Sequence, residues 1–148
     1  HITKEMVCNA PYIYELLPRL NQVLAQVKTI VGYNFTGFDN GFLTRYGASF
    51  NDETIVEDLS NIFAAIYGEF SPKHGDFKFK NLSTCADYFG YDWGEETAHN
   101  SLADCRATAF CYQMALEEKY QALYQENTHK RDCGFFDESY DACGDYNG

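Results

Sequence analysis

Asp39, His99 and Asp104 stand out from the 148-residue sequence because of their chemistry and their local context. Asp39 follows Ile30-Val31, a β-branched apolar run that is too short for a helix and is typical of a strand. Magnesium-type ions prefer carboxylate oxygens, and a histidine accepts a proton from water near neutral pH. Two aspartates and one histidine at loop–helix junctions therefore predict a metal-assisted site that hydrolyses phosphodiesters.

Each of the three residues also has an ordinary structural explanation when it is taken alone. Asp39 and Asp104 both lie at the start of a predicted helix, where the helix dipole favours a carboxylate without any function. Asp104 also follows Ser101 in an S-x-x-D capping pattern. His99 alone is typical of a surface loop. Only the combination of the three favours a functional site.

Helices and strands alternate along the chain, which predicts an α/β fold in one domain. Apolar residues recur at three- and four-residue steps in the helices, and β-branched residues mark the strands. The predicted elements are a loop or short turn over 1–8, helices over 10–27, 38–46, 59–67, 82–89 and 101–125, strands over 29–31 and 53–59, and a polar loop over 68–80.

Several local details accompany these elements. Asn9 is a suitable N-cap for the first long helix, and Pro18 inside that helix should kink or split it. Phe42 and Leu43 are expected to pack inward from the helix over 38–46. After Asn127 the sequence is acidic, glycine-rich and aromatic, which indicates an irregular tail.

The formal net charge of -11 excludes a protein that coats nucleic acid non-specifically, because a uniformly acidic surface repels phosphates. It does not exclude an enzyme that holds a nucleic-acid end through metal ions, since the cations supply positive charge. The main basic region is the loop that carries Lys73, His74, Lys78 and Lys80. That loop is either a solvated segment or a contact for a nucleic-acid backbone.

The six cysteines include no CxxC pair, which favours reduced thiols in a cytoplasmic protein. Cys133 and Cys143 are the pair to consider for a disulfide or a metal site. No apolar run approaches the roughly 18 residues that span a bilayer, so no membrane partner is expected.

Two segments resemble the motifs of a known family, the DEDDh-type 3′-5′ exonucleases, which include the proofreading subunit of bacterial DNA polymerase III and ribonuclease T. VGYNFTGFDNGFL resembles the second motif, and HNSLADCRATA resembles the third. FKFKNLSTCADYFGYDW is similar to the helix before the third motif, and HITKEMV with the following helix is similar to the segment before the second. The resemblance covers residues 1–126 and leaves 127–148 as a separate acidic, aromatic, cysteine-containing tail.

The resemblance implies a ribonuclease H-like fold and a metal-dependent 3′-5′ exonuclease that releases nucleoside monophosphates from DNA or RNA. Asp39 and Asp104 would be metal ligands, His99 the general base, and Asn34 and Phe38 part of the substrate site. Two Mg²⁺ or Mn²⁺ ions would hold the terminal phosphodiester. The implied partners are single-stranded 3′ ends and a DNA polymerase or another protein.

The family's first motif, an Asp-x-Glu on the first strand, has no counterpart in these 148 residues. We therefore expect that the family's N-terminal strands are missing from this chain, and that the chain alone is inactive. Without those strands, the strand over 29–31 has an apolar edge that invites self-association. Four acids are alternative substitutes for the missing pair: Asp52, Glu53, Glu57 and Asp58.

Two other functions stay open. The first is a non-catalytic nucleic-acid-binding or assembly module that retains the exonuclease fold without the first motif. The second is an acidic α/β interaction domain, for which both motif matches would be accidental. The first motif distinguishes the enzyme from the binding module, because an Asp-x-Glu upstream favours the enzyme.

Overall fold

The computed structural model describes residues 3–94 and 100–136. Its mixture of helices and short strands agrees with the predicted α/β class. The elements are α1 Lys4–Val7, α2 Ile13–Leu24, β1 Thr29–Gly32, α3 Asp39–Arg45, β2 Ile55–Asp58, α4 Leu59–Tyr67, β3 Phe70–Ser71, β4 Asp76–Phe77, α5 Leu82–Phe89, α6 Ser101–Ala115 and α7 Glu118–Asp132.

The described residues group into two compact units. The first unit contains the residues up to Ile30 together with Phe35–Glu57, and the second contains Val31–Asn34 together with the residues from Asp58 onward. Strands β1 and β2 are neighbours in a two-stranded sheet, and each contributes residues to both units. No helix in the described part of the chain is long and apolar enough to cross a membrane.

The main hydrophobic core lies in the second unit, between α4, α5 and α6. Helices α4 and α5 have the predicted bounds, because apolar residues recur on one face and Gly68 and Gly90 end them in the left-handed conformation. The buried core residues are Leu59, Phe63, Ile66, Cys85, Ala86, Phe89, Cys111 and Ala115.

The single helix predicted over 101–125 is wrong, because the chain turns between α6 and α7. Glu117 has extended backbone angles (φ -64, ψ 143) and forms the N-cap of α7. Gln121 closes the turn, since its Nε2 donates to the carbonyl of Ala115 at 2.7 Å. Tyr120 and Tyr124 pack against the same core as α6. The apolar period runs through this turn, which is why the sequence pattern did not show it.

Helix α7 continues to Asp132, so the irregular segment predicted after Asn127 is also wrong over this stretch. The side-chain amide of Asn127 donates to the carbonyl of Ala65 on α4 at 2.7 Å. Arg131 forms an ion pair with Asp76 of β4 at 3.1 Å. Helix α7 therefore packs as part of the second unit.

The loop predicted over 68–80 contains a short antiparallel hairpin formed by β3 and β4. Phe70 lies opposite Phe77, and Ser71 lies opposite Asp76. The ring of Phe136 stacks on Phe70 at a centroid distance of 4.5 Å. Aromatic contacts with the C-terminal segment explain why a polar stretch of sequence forms regular structure here.

Two of the local predictions for the first unit are corrected. Residues 4–7 form the short helix α1 within the segment predicted as a loop or short turn. Tyr12 is the N-cap of α2 in place of Asn9, because the Tyr12 N–H donates to Oε2 of Glu15 at 2.7 Å. Phe42 is 54% exposed and does not pack inward. Pro18 lies inside α2, which extends as one helix from Ile13 to Leu24.

Candidate functional site

The chain leaves β1 through a turn at Tyr33 and Asn34. Asn34 has a φ of 57°, the one positive φ among the described residues other than glycine. Asparagine tolerates this left-handed conformation better than most residues, although it is still less favourable than the extended or right-handed regions. Neighbouring groups must therefore hold the turn in place.

Tyr33 anchors one side of this turn. Its hydroxyl lies 2.9 Å from the carbonyl of Lys80 and 3.2 Å from that of Asn81, at the start of α5. Burial raises the pKa of Tyr33, so the phenol keeps its proton and remains a donor. The residue before Asn34 is thereby fixed to a helix start in the second unit.

Asp58 anchors the other side of the turn. It ends β2, caps α4 and is only 7% exposed. Its Oδ1 accepts the backbone N–H of Asn34 at 2.8 Å, the backbone N–H of Ser60 at 3.2 Å and the Ser60 hydroxyl at 2.7 Å. These bonds offset the cost of burying the carboxylate.

Phe38 and Asp39 belong to the first unit. The carbonyl of Phe35, a residue that is 8% exposed, accepts the N–H of Asn40 at 2.9 Å and thus closes the turn before α3. Phe38 is the N-cap of α3 and is 71% exposed, and Asp39 is the first residue of the helix and is exposed. The ring of Phe38 and the carboxylate of Asp39, which are adjacent in sequence, are therefore both accessible to solvent.

Asp104 belongs to the second unit and lies in the first turn of α6. Its N–H donates to the carbonyl of Asn100 at 2.8 Å, and the side chain of Asn100 accepts the N–H of Leu102 at 3.1 Å. The cap is therefore Asn100, and the S-x-x-D capping pattern predicted from Ser101 is wrong. Asp104 is half-buried next to the buried Ala103.

The predicted site residues are thus distributed over both units. Phe38 and Asp39 lie in the first, whereas Asn34 and Asp104 lie in the second. His99 falls within 95–99, outside the described residues, as does Cys143. The roles predicted for these side chains stay predictions.

The described residues contain no group of three or more His, Cys, Asp or Glu side chains that could hold a metal ion. Aspartate oxygens are the donors that Mg²⁺ and Mn²⁺ prefer, so Asp39 and Asp104 have suitable chemistry. They do not form a complete ligand set with other described side chains. A site of the predicted kind would need further ligands.

Two lysines of the basic region form ion pairs in the structure. Lys78 forms an ion pair with Glu69 at 2.7 Å, and Lys80 pairs with the other oxygen of the same carboxylate. These hydrogen bonds lower the pKa of Glu69 to about 2. Lys78 and Lys80 are therefore engaged with Glu69, and the two interpretations of this loop, a solvated segment or a contact for a nucleic-acid backbone, stay predictions.

Asp58 and Tyr33 are the residues that sequence reasoning did not assign to the site. Asp58 was considered only as a substitute metal ligand, whereas its Oδ1 is occupied by three hydrogen bonds. The pattern Asp-x-Ser before an apolar helix signals a cap. The contact with Asn34, which is 24 residues away, has no local signal.

Comparison with known proteins identifies the family. No curated protein and no solved structure matches the chain. Residues 1–112 match the sequence model of the exonuclease family RNase T. The match includes the turn at Asn34, the start of α3 at Asp39 and the start of α6 at Asp104. Because it covers more than half of the 148 residues, the chain belongs to the RNase T exonuclease family.

Proposed function

We propose that this protein is a metal-dependent 3′-5′ exonuclease domain with a ribonuclease H-like fold. It would hydrolyse the terminal phosphodiesters of single-stranded DNA or RNA and release nucleoside monophosphates. The observation that carries the proposal is the family match over residues 1–112, which includes both sequence motifs in their expected order. The DEDDh subtype is proposed from the histidine five residues before Asp104.

Each site residue has a role in this proposal. Asp39 and Asp104 offer one carboxylate each as metal ligands. His99 accepts the proton of the water that attacks the terminal phosphodiester. Asn34 and the exposed ring of Phe38 bind the substrate, and an exposed ring offers a stacking surface for a base.

The metal requirement is inferred from the donor chemistry and from the family. A bound Mg²⁺ or Mn²⁺ supplies Lewis-acid stabilisation of the reacting phosphodiester. The 148 residues contain no Asp-x-Glu, so the remaining carboxylates of the family's site have no counterpart in this sequence. We therefore expect no turnover from these 148 residues alone.

The exonuclease activity is tested on the protein as its natural source produces it, called the full-length protein below, with single-stranded oligonucleotides labelled at the 5′ or the 3′ end. We expect nucleoside monophosphates to be released from the 3′ end with Mg²⁺ or Mn²⁺, and no release with EDTA. Asp39→Asn and Asp104→Asn should each lower kcat by about 100-fold or more, since even a residue that only supports a metal ligand costs 10- to 100-fold. Asp87→Asn, at an exposed position on α5, is the matched control.

The same assay on the 148-residue polypeptide tests its predicted inactivity. Turnover with Mn²⁺ that Asp104→Asn abolishes would show that these residues form a complete site. The alternative function is a non-catalytic nucleic-acid-binding or assembly module with the same fold. Binding of oligonucleotides by the full-length protein without any metal-dependent hydrolysis would favour that alternative.

The proposed partners follow from the activity and from the sheet. The substrate is a single-stranded 3′ end, and a DNA polymerase or another protein partner would deliver it in the cytoplasm. Self-association through an edge of the β1–β2 sheet is also proposed, because β2 exposes Ile55 (58%) and Val56 (39%). Sedimentation at several protein concentrations distinguishes a monomer from such an assembly.

A further inference from the structure

The turn that follows β1 is held by two helix starts within the second unit. Tyr33 is bonded to the backbone at the start of α5, and Asn34 is bonded to the Asp58 cap of α4. Asn34 is the residue of this turn that adopts the left-handed conformation, with a φ of 57°. A non-glycine residue in this region is retained only when its surroundings hold it there.

The contacts of Asp58 exceed what a helix cap requires. Capping α4 needs only the bond to the N–H of Ser60, which Oδ1 accepts at 3.2 Å. The additional bond to the N–H of Asn34, at 2.8 Å, is shorter and joins two segments that are 24 residues apart. A hydrogen bond to a charged acceptor is stronger than one between neutral groups. The carboxylate is therefore placed to serve the turn as well as the helix.

We propose that Asp58 is a positioning residue of the nuclease, which acts by holding the backbone of Asn34 in its left-handed conformation. This inference rests on the proposed function, in which Asn34 binds the substrate. The carboxylate fixes the direction in which the Asn34 side chain leaves the strand, and Tyr33 fixes the residue before it. Asp58 itself does not touch the substrate.

Two substitutions separate the two tasks of Asp58. In Asp58→Ser the shorter side chain still caps α4, because serine is a favourable N-cap residue, but it is too short to reach the N–H of Asn34. In Ser60→Ala the hydroxyl bond to Oδ1 is lost, while the bond to Asn34 remains. Both variants change the hydrogen bonds of the side chain at residue 58, and only the first removes the bond to the N–H of Asn34.

The test measures amide hydrogen exchange at Asn34, together with kcat and KM for a single-stranded oligonucleotide in the full-length protein. For Asp58→Ser we expect Asn34 to exchange at least about tenfold faster and kcat to fall about tenfold or more, since a small misplacement of a site group costs up to 10²-fold. Ser60→Ala should change the exchange rate of Asn34 and kcat by no more than about twofold, because the backbone N–H of residue 60 and the N–H of Asn34 keep their bonds to Asp58. If Asp58 only capped α4, Asp58→Ser and Ser60→Ala would change the exchange rate of Asn34 and kcat to the same extent. That result would overturn the proposal.

Two further outcomes are decisive. If Asp58→Ser does not fold, Asp58→Asn replaces it in the test, because the amide oxygen of asparagine is still an acceptor for the N–H of Asn34. A lower kcat in Asp58→Asn with unchanged hydrogen exchange at Asn34 would then overturn the proposal. If the wild-type protein shows no nuclease activity, the proposed function fails. The exchange rates at Asn34 still show whether Asp58 holds the turn, and unchanged exchange in Asp58→Ser would refute that as well.

Discussion

The side chain of Asn127 on α7 occupies the space beside Gly68 at the end of α4. A Cβ atom on Gly68 would lie 2.8 Å from Nδ2 of Asn127. The same Nδ2 donates to the carbonyl of Ala65 at 2.7 Å, so the amide fits between the last turn of α4 and the glycine that ends it. The absence of a side chain at residue 68 is thus part of the contact between α4 and α7.

Gly68→Ala should destabilise the protein more than Gly90→Ala, which is a matched control. Both glycines have a φ of 76°, and no atom lies within 4 Å of a Cβ on Gly90. Gly90→Ala should lower the free energy of unfolding by about 1–2 kcal/mol, which is the penalty for a side chain in the left-handed region. Gly68→Ala should cost about 1 kcal/mol more, because Asn127 must move and its hydrogen bond is lost. Urea unfolding measures both, and equal losses would contradict the prediction.

The thiols of Cys85 and Cys111 should be unreactive in the folded protein. Both are fully buried, and hydrogen bonding to Cys111 together with burial raises the pKa of Cys85. The same hydrogen bond lowers the pKa of Cys111, so the expected unreactivity of Cys111 rests on its burial, which keeps an alkylating reagent away from the thiol. Cys8, Cys105 and Cys133 are exposed and serve as internal controls.

Iodoacetamide labelling followed by peptide mass spectrometry checks this prediction. The three exposed cysteines should be modified within minutes, and the two buried ones only after unfolding in denaturant. Modification of Cys85 at the rate of Cys8 would show that the core between α5 and α6 opens readily.

The ion pairs of Glu69 should be lost in acid over a defined pH range. Hydrogen bonds from Lys78 and Lys80 lower the pKa of Glu69 from 4.5 to about 2. Because the folded-state pKa is lowered, the stabilisation is present above the unfolded-state pKa of 4.5 and disappears as the pH falls through about 2. The carboxylate is 41% exposed, so salt should screen the interaction.

A carboxyl carbon NMR titration of Glu69 measures this pKa directly. Lys78→Gln should raise it, and 1 M NaCl should move it toward 4.5, the ordinary value. Lys73→Gln, at an exposed position in the β3–β4 turn, should leave it unchanged. A pKa near 4.5 in the unmodified protein at low salt would show that the pairs are not formed in solution.

The sequence predicted the elements whose signals are local. Helices α4 and α5 follow from apolar spacing and from Gly68 and Gly90 as stop residues. The turn between α6 and α7 was not predicted, because Leu116 and Tyr120 continue the helical period. What separates these helices is the packing of Tyr120 and Tyr124 against the core, which is a tertiary effect.

The same difference between local signals and long-range contacts applies to the candidate site. Asn34, Phe38, Asp39 and Asp104 are predicted from the two segments that resemble family motifs, and both segments lie within the family match over residues 1–112. The positioning carboxylate was not found, because the partner of Asp58 lies 24 residues away in sequence. Which ligands meet at a metal ion likewise depends on contacts between distant segments.

A chain that ends at residue 126, the boundary predicted from the sequence, should be less stable than one that ends at residue 136. The shorter chain lacks the Asn127 bond to Ala65 and the stacking of Phe136 on Phe70 at 4.5 Å. A hydrogen bond and an aromatic pair each contribute about 1 kcal/mol, and with the area they bury we expect a loss of about 2–4 kcal/mol. The exposed Arg131–Asp76 pair should add little.

Thermal and urea unfolding of the two chains measures this difference. Phe136→Ala in the longer chain should account for part of the loss, because it removes the ring that contacts both Phe70 and Phe77. Phe135→Ala is the matched control, since Phe135 is 64% exposed and its removal should change stability little. Equal stability of the two chains would place the domain boundary at 126 and would show that the end of α7 is dispensable for the core, even though it packs on α4 and β4.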